Sequence, residues 1–164
     1  MQRVLTGIVK NSKPAAGYLF VGPPDSPKKE DVREFAQALG CNGVDFIWVK
    51  PEKSSLGIEQ MRELCRQIRF GPAAGKQMLV VMEKADEMTD EAGGAFLKTL
   101  EEPPTGVTFV LLVEREDRIL KTIASRCQKI LFGEGDRSWE PNAQNASFYQ
   151  TLSSLQGKNV IDLL

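Results

Sequence analysis

The 164-residue sequence predicts an α/β fold, a parallel β-sheet flanked by helices on both faces. Three observations carry that prediction. Short β-rich runs alternate with segments of helical period. Two of the runs, residues 77–82 and 107–113, are apolar almost without interruption, as strands buried on both faces are. The first run turns through Gly22 into a segment of helical period that opens on Lys28 and Lys29. In sheets of this kind ligands bind at the carboxyl ends of the strands, where that turn and the segment after Met82 both fall.

Each element follows from local pattern. Residues 2–10 are expected to form a short helix with Val4, Leu5 and Ile8 inward. Tyr18 to Val21 make a short apolar strand that stops at Gly22-Pro23-Pro24. Residues 28–39 place Val32, Phe35, Ala36 and Leu39 on one helical face. Phe46 to Val49 are β-rich and end before Pro51. Ser54 or Ser55 is expected to cap a helix over about residues 57–69, with an apolar stripe of Ile58, Met61, Leu64, Cys65 and Ile68. Gly71-Pro72 and Gly75 break the chain before the apolar run at 77–82. Thr89 caps a helix over 90–101, with Asp90 and Glu91 in the first turn and Ala92, Ala95, Phe96 and Leu100 on the buried side. Inside it the Gly93-Gly94 pair costs about 1 kcal/mol per glycine relative to alanine, and either the approach of another chain or a distorted helix would account for it. Residues 116–124 are expected as a short helix and 128–132 as the closing strand.

Residues 1–132 thus form the expected core. Residues 133–147, rich in Gly, Asn, Ser and charge, read as a linker. Residues 148–164 begin a new amphipathic pattern through Phe148, Leu152, Leu155, Val160, Leu163 and Leu164. The expectation is the opening helix of a truncated second, helical lid domain. The alternative is a helix packed back on the core.

Composition narrows the function. Hydrophobic residues are 41% and charged residues 26% of the chain, as in a soluble globular domain. No apolar run of about 18 residues and no apolar leader core is present, so a cytoplasmic protein without a membrane segment is expected. The net charge of −1 gives no broad positive field, so any DNA contact is expected through an assembly. Histidine is absent, which excludes imidazole catalysis and His-ligated metals. Cys41, Cys65 and Cys127 are widely spaced and support neither a zinc site nor a disulfide framework.

The segment 17–29 has the layout of a phosphate-cradling loop, Gly-x-x-x-x-Gly-Lys-[Ser/Thr] between a strand and a helix. Gly22 and Lys28 are in place. Pro27 stands where the second glycine belongs, and Lys29 stands where the Mg²⁺-binding hydroxyl belongs. Pro23, Pro24 and Pro27 have no N–H to offer a phosphate, and Asp25 adds an anion beside it. Weak anion binding at Lys28 and a simple solvated lysine pair before a helix are the two readings of what is left.

From Gly17 to Phe132 the chain resembles the AAA+ core of the bacterial DNA polymerase III clamp-loader family, most closely its delta-prime branch, with gamma/tau as relatives. The resemblance rests on residues 95–104, Ala-Phe-Leu-Lys-Thr-Leu-Glu-Glu-Pro-Pro, and 122–127, Thr-Ile-Ala-Ser-Arg-Cys, in that order and spacing. It implies an AAA+ P-loop NTPase-like core. By that resemblance the run to Met82 should end in Asp-Glu, and here Glu83 and Lys84 take those places. Glu83 can still approach a metal, but a protonated Lys84 cannot orient an attacking water. Val113 takes the place of a polar sensor residue. The four-cysteine zinc module of many relatives is reduced to Cys41.

The resemblance further implies that Arg126, in the triplet Ser125-Arg126-Cys127, is an arginine finger acting on the ATP site of a neighbouring subunit; a surface arginine paired with Glu101 or Glu102 is the plainer reading. Cys127 reads as a small buried hydrophobe. The implied role is an ATPase-inactive stator of the DNA polymerase III holoenzyme that binds no ATP, Mg²⁺ or zinc. Its implied partners are the gamma/tau and delta subunits and, through the assembly, the sliding clamp and primed DNA. The family's strongest oligomerisation contacts lie in a C-terminal collar, so this segment alone is expected to be monomeric. A divergent ATPase that keeps nucleotide binding, and an AAA+-derived scaffold for another partner, are the competing readings.

Overall fold

The computed structural model describes residues 14–133, together with Gly7. The expected helix at 2–10, apart from Gly7, and the expected linker and second domain after residue 133 lie outside the described residues.

Five strands form one parallel sheet: β1 (Gly17–Val21), β2 (Phe46–Val49), β3 (Met78–Met82), β4 (Val107–Val113) and β5 (Gln128–Leu131), in the order β2-β3-β4-β1-β5. Four helices connect them: α1 (Lys28–Ala38), α2 (Ile58–Gln67), α3 (Asp90–Glu101) and α4 (Lys121–Ala124). All residues of β3 and β4 are buried, as their apolar runs require. β2 lies at one edge of the sheet and is only partly buried throughout.

Strand alternation divides the core into two layers. Leu19, Val80, Phe109 and Leu111 face α2, α3 and α4, and meet Met61, Leu64, Phe96 and Ile123. Tyr18, Phe20, Val81 and Val110 face α1 and meet Val32, Phe35 and Ala36. Edge-to-face ring pairs mark each layer: Phe96 with Phe109 at 5.1 Å, and Tyr18 with Phe35 at 5.6 Å. Because β1 lies between β4 and β5 while the chain continues from it to the far edge, strand order reverses beside β1. The crevice at the carboxyl ends of β1 and β4 is therefore the topological switch point.

Two expectations change. α2 starts later and is capped by the backbone of Gly57, with no side-chain bond from Ser54 or Ser55. The backbone of Leu56 is instead drawn into a bridge with Met88 and accepts the Thr89 N–H, which fixes the chain before the helix begins. The segment 116–124 is not one helix but a 3-10 turn, Glu116–Arg118, and then the single turn α4, separated by the extended Ile119 and Leu120. Ile119 is buried in the core, and the extended link is what sets it there. Leu39 closes α1 half-buried and packs against the same layer as Val32, Phe35 and Ala36, as expected.

Of the glycine pair in α3, Gly93 has an internal explanation. A Cβ on Gly93 would lie 2.6 Å from Leu120 Cδ1, so Gly93 lets the extended link and α4 approach the helix. A Cβ on Gly94 would meet nothing. Thr89 does cap α3, its Oγ1 accepting the Ala92 N–H at 3.2 Å.

Candidate functional site

The loop between β1 and α1 folds onto itself. Gly22 N–H donates to the Val113 carbonyl at 3.2 Å, Ser26 N–H to Pro23 O at 3.1 Å and Lys28 N–H to Ser26 O at 2.7 Å. Pro23, Pro24 and Pro27 have no N–H. Among the amides of residues 22–28, only that of Asp25 has no hydrogen bond within the described residues. A phosphate cradle works by several amides converging on one anion. This loop has turned the amides of Ser26 and Lys28 to its own carbonyls and that of Gly22 to the end of β4. Gly22 itself is sterically obligatory, since a Cβ there would sit 2.2 Å from the Phe132 carbonyl oxygen.

Lys28 is buried, with 4% of its surface exposed. Its Nζ donates to the Gly22 carbonyl and, at 3.0 Å, to the Val113 carbonyl. The solvated lysine expected from sequence is thus replaced by an internal brace across the ends of β1 and β4. Burial lowers its pKa, opposed by the nearby carboxylates of Glu114 and Asp86.

Lys29 and Glu83, the two positions that the resemblance matches to Mg²⁺ holders, pair with each other. Glu83 is completed on its second oxygen by Trp48 Nε1–H at 2.9 Å. Burial alone would raise the Glu83 carboxyl, but the bonds from Lys29 and Trp48 outweigh it and hold the group below its ordinary range. Lys84 takes a left-handed backbone conformation, φ 52°, and points to Glu87 at 3.5 Å. Val113 is buried and apolar at the end of β4. Among the described residues no group of three or more His, Cys, Asp and Glu side chains could hold a metal ion.

Asp86 and Asp45 escaped the sequence reading. Asp86 accepts the amides of Glu114 and Arg115 at 3.2 and 3.1 Å, tying the turn after β3 to the chain leaving β4. Asp45 accepts three amides, those of Ala73, Ala74 and Gly75, and clamps the loop before β3. The bond from Ala73 leads in depressing its pKa, joined by those from Ala74 and Gly75 against the opposing effect of burial. Acidic residues in turns were the available signal, but only the fold shows which amides they reach.

Arg126 follows α4 at the opposite edge of the sheet. Its guanidinium meets Glu101 at 2.7 Å and the Thr122 carbonyl at 2.9 Å, and it remains half-exposed. Ser125 Oγ donates to the same carbonyl at 3.1 Å. Cys127 is fully buried, and burial pushes its thiol up to about 12. Because Gln128 pairs with Tyr18 at the start of β1, Arg126 lies at the amino edge. The loop at Gly22 lies at the carboxyl edge, roughly 15–20 Å away at about 3.3 Å per strand residue.

The family model for the DNA polymerase III delta subunit matches residues 41–135. The chain is 27% identical over 150 residues to DNA polymerase III subunit tau of Bacillus subtilis, spanning 79% of this chain and 27% of that protein. It is 36% identical over 86 residues to DNA polymerase III subunit delta' of Escherichia coli, spanning 51% of this chain and 26% of that protein. The chain therefore spans about a quarter of the length of these curated relatives. Among solved structures, a DNA polymerase III gamma subunit-related protein of Thermotoga maritima superposes with a TM-score of 0.67 at 22% identity, over 93% of this chain and 53% of that one. The RuvB Holliday junction branch migration motor of the same organism gives 0.61 at 13% identity, over 79% of this chain and 41% of that one. Both share the fold.

Proposed function

This chain belongs to the DNA polymerase III delta-subunit family, and from that premise we propose that it is an ATPase-inactive subunit of the clamp loader. It assembles with gamma/tau and delta subunits in the cytoplasm, to place a sliding clamp on primed DNA. Support comes from its own loop: the amides of Gly22, Ser26 and Lys28 bond to carbonyls, Lys28 braces carbonyls and Lys29 answers Glu83. Phosphoryl transfer depends on positioned charge around phosphate and metal, and here Lys28 is committed to backbone carbonyls and Glu83 to Lys29 and Trp48.

One observation carries the second half of the reading. Arg126 is half-exposed at the amino edge of the sheet, roughly 15–20 Å from the loop of its own chain. A nucleotide it serves must belong to a neighbour. Glu101 holds the guanidinium in the meantime, and phosphate oxygens of the docked subunit replace that carboxylate. The test is DNA- and clamp-stimulated ATP hydrolysis by a reconstituted loader carrying the full-length parent, as wild type and as Arg126→Ala. A loss of about tenfold or more with assembly intact supports the finger, since fingers supplied in trans are worth roughly 10³–10⁵ in GTPases. An unchanged rate would make Arg126 a structural partner of Glu101. Magnesium-dependent hydrolysis by this chain alone would overturn the inactive reading.

A further inference from the structure

The ion pair of Lys29 with Glu83 forms one wall of a concavity that the proposed function leaves unused. Lys29, Arg33, Trp48, Lys50 and Glu83 line a cavity of about 330 Å³ beyond the carboxyl ends of β2 and β3. Its size is at the lower end for small-ligand sites. Three cations face one carboxylate, and that carboxylate is already engaged on both oxygens by Lys29 and the Trp48 indole. Arg33 and Lys50 have no salt bridge among the described residues.

The geometry favours an anion over bulk water. The Arg33 guanidinium carbon lies over the Trp48 ring, 5.3 Å from its centroid. This cation–π contact engages the ring face and leaves guanidinium N–H groups to donate to an oxyanion. Lys29 lies in the first turn of α1, where the helix dipole adds positive potential. The cavity is also at the carboxyl ends of parallel strands.

We propose that this cavity is a metal-independent binding site for a phosphate-bearing anion, with Arg33 and Lys50 as its donors and Lys29 shared between Glu83 and the ligand. Metal independence follows from Lys29: a tethered ammonium beside Glu83 supplies the positive charge that a phosphate site otherwise takes from Mg²⁺. The inference rests on the inactive reading only in that it requires no metal; it is independent of Arg126.

The probe is inorganic tripolyphosphate in the presence of EDTA. The readout is the Trp48 indole ¹⁵N–¹H resonance, observed in a Trp139→Phe background so that one indole remains. The expected result is a saturable shift, with affinity weakened about tenfold by each of Arg33→Ala and Lys50→Ala. Both side chains are exposed, so the variants retain the fold, checked by unchanged thermal unfolding. ATP as a second probe separates the sources: equal affinity means that the site reads phosphate alone, and tighter binding means that a nucleoside adds contacts. No saturable shift at millimolar probe, or a shift unaltered in both variants, overturns the inference and leaves the proposed function standing. Binding that appears only with Mg²⁺ overturns both.

Discussion

Removing the Lys29–Glu83 pair separates a true structural replacement for a metal from an incidental surface contact. The Glu83 side chain is 16% exposed and that of Lys29 43%. Two unit charges 4 Å apart attract by about 4 kcal/mol at an effective dielectric of 20. The exposure of Lys29 admits solvent screening and side-chain entropy, and fully exposed pairs fall to about 0.2–1 kcal/mol. A half-covered pair should therefore couple by about 1 kcal/mol. Glu83→Ala also removes the acceptor of the Trp48 indole, bonded at 2.9 Å, for about 1 kcal/mol more. Expected losses are about 1 kcal/mol for Lys29→Ala, about 2 for Glu83→Ala and about 2 for the double variant, by urea unfolding followed by circular dichroism. The coupling should shrink in about 1 M salt, where the screening length is about 3 Å. It should also fade in acid. The folded Glu83 carboxyl sits below its ordinary 4.5, so its stabilisation is complete above that pH and is lost as pH falls through the lower folded value. Strict additivity of the two single losses would refute the reasoning.

Asp45→Ala should lower the melting temperature and speed hydrogen exchange at the amides of Ala73, Ala74 and Gly75; in the wild type the same stabilisation is present above the ordinary carboxylate range and is lost as pH falls through the depressed folded pKa. Gly22→Ala should cost about 1–3 kcal/mol, because its Cβ would press on the backbone of Phe132, whereas Gly94→Ala should stabilise by about 0.5–1 kcal/mol in open space; opposite signs in parallel melts are the check. Native labelling with a thiol reagent at mildly alkaline pH should modify Cys65 first. Buried Cys127, with its thiol near 12, and Cys41, near 11, should label only on unfolding.

The sequence by itself determined the sheet. Apolar runs of fixed length, broken by glycine and proline, leave β3 and β4 no alternative to burial on both faces. It also carries the expectation of a loop unsuited to phosphate, because Pro27 offers no N–H and Lys29 no hydroxyl wherever their side chains point. Caps and short connections were less legible. Gly57 starts α2 because Leu56 is captured by Met88, a contact between residues far apart in the chain. The break at Ile119 likewise answers to a core position that local periodicity does not encode.

Only the tertiary structure decided what the altered side chains do instead. Lys28 turned inward because Gly22 and Val113 bring two carbonyls together at the ends of neighbouring parallel strands. Lys29 found Glu83, and Glu83 found Trp48, across three elements whose register sets them side by side. Gly93 is explained by Leu120, and Arg126 is held by Glu101 and the Thr122 carbonyl. Composition and periodicity act over a few residues and set what each segment can be. Which charge neutralises which is a matter of three-dimensional distance, and that distance exists only once the strands have paired.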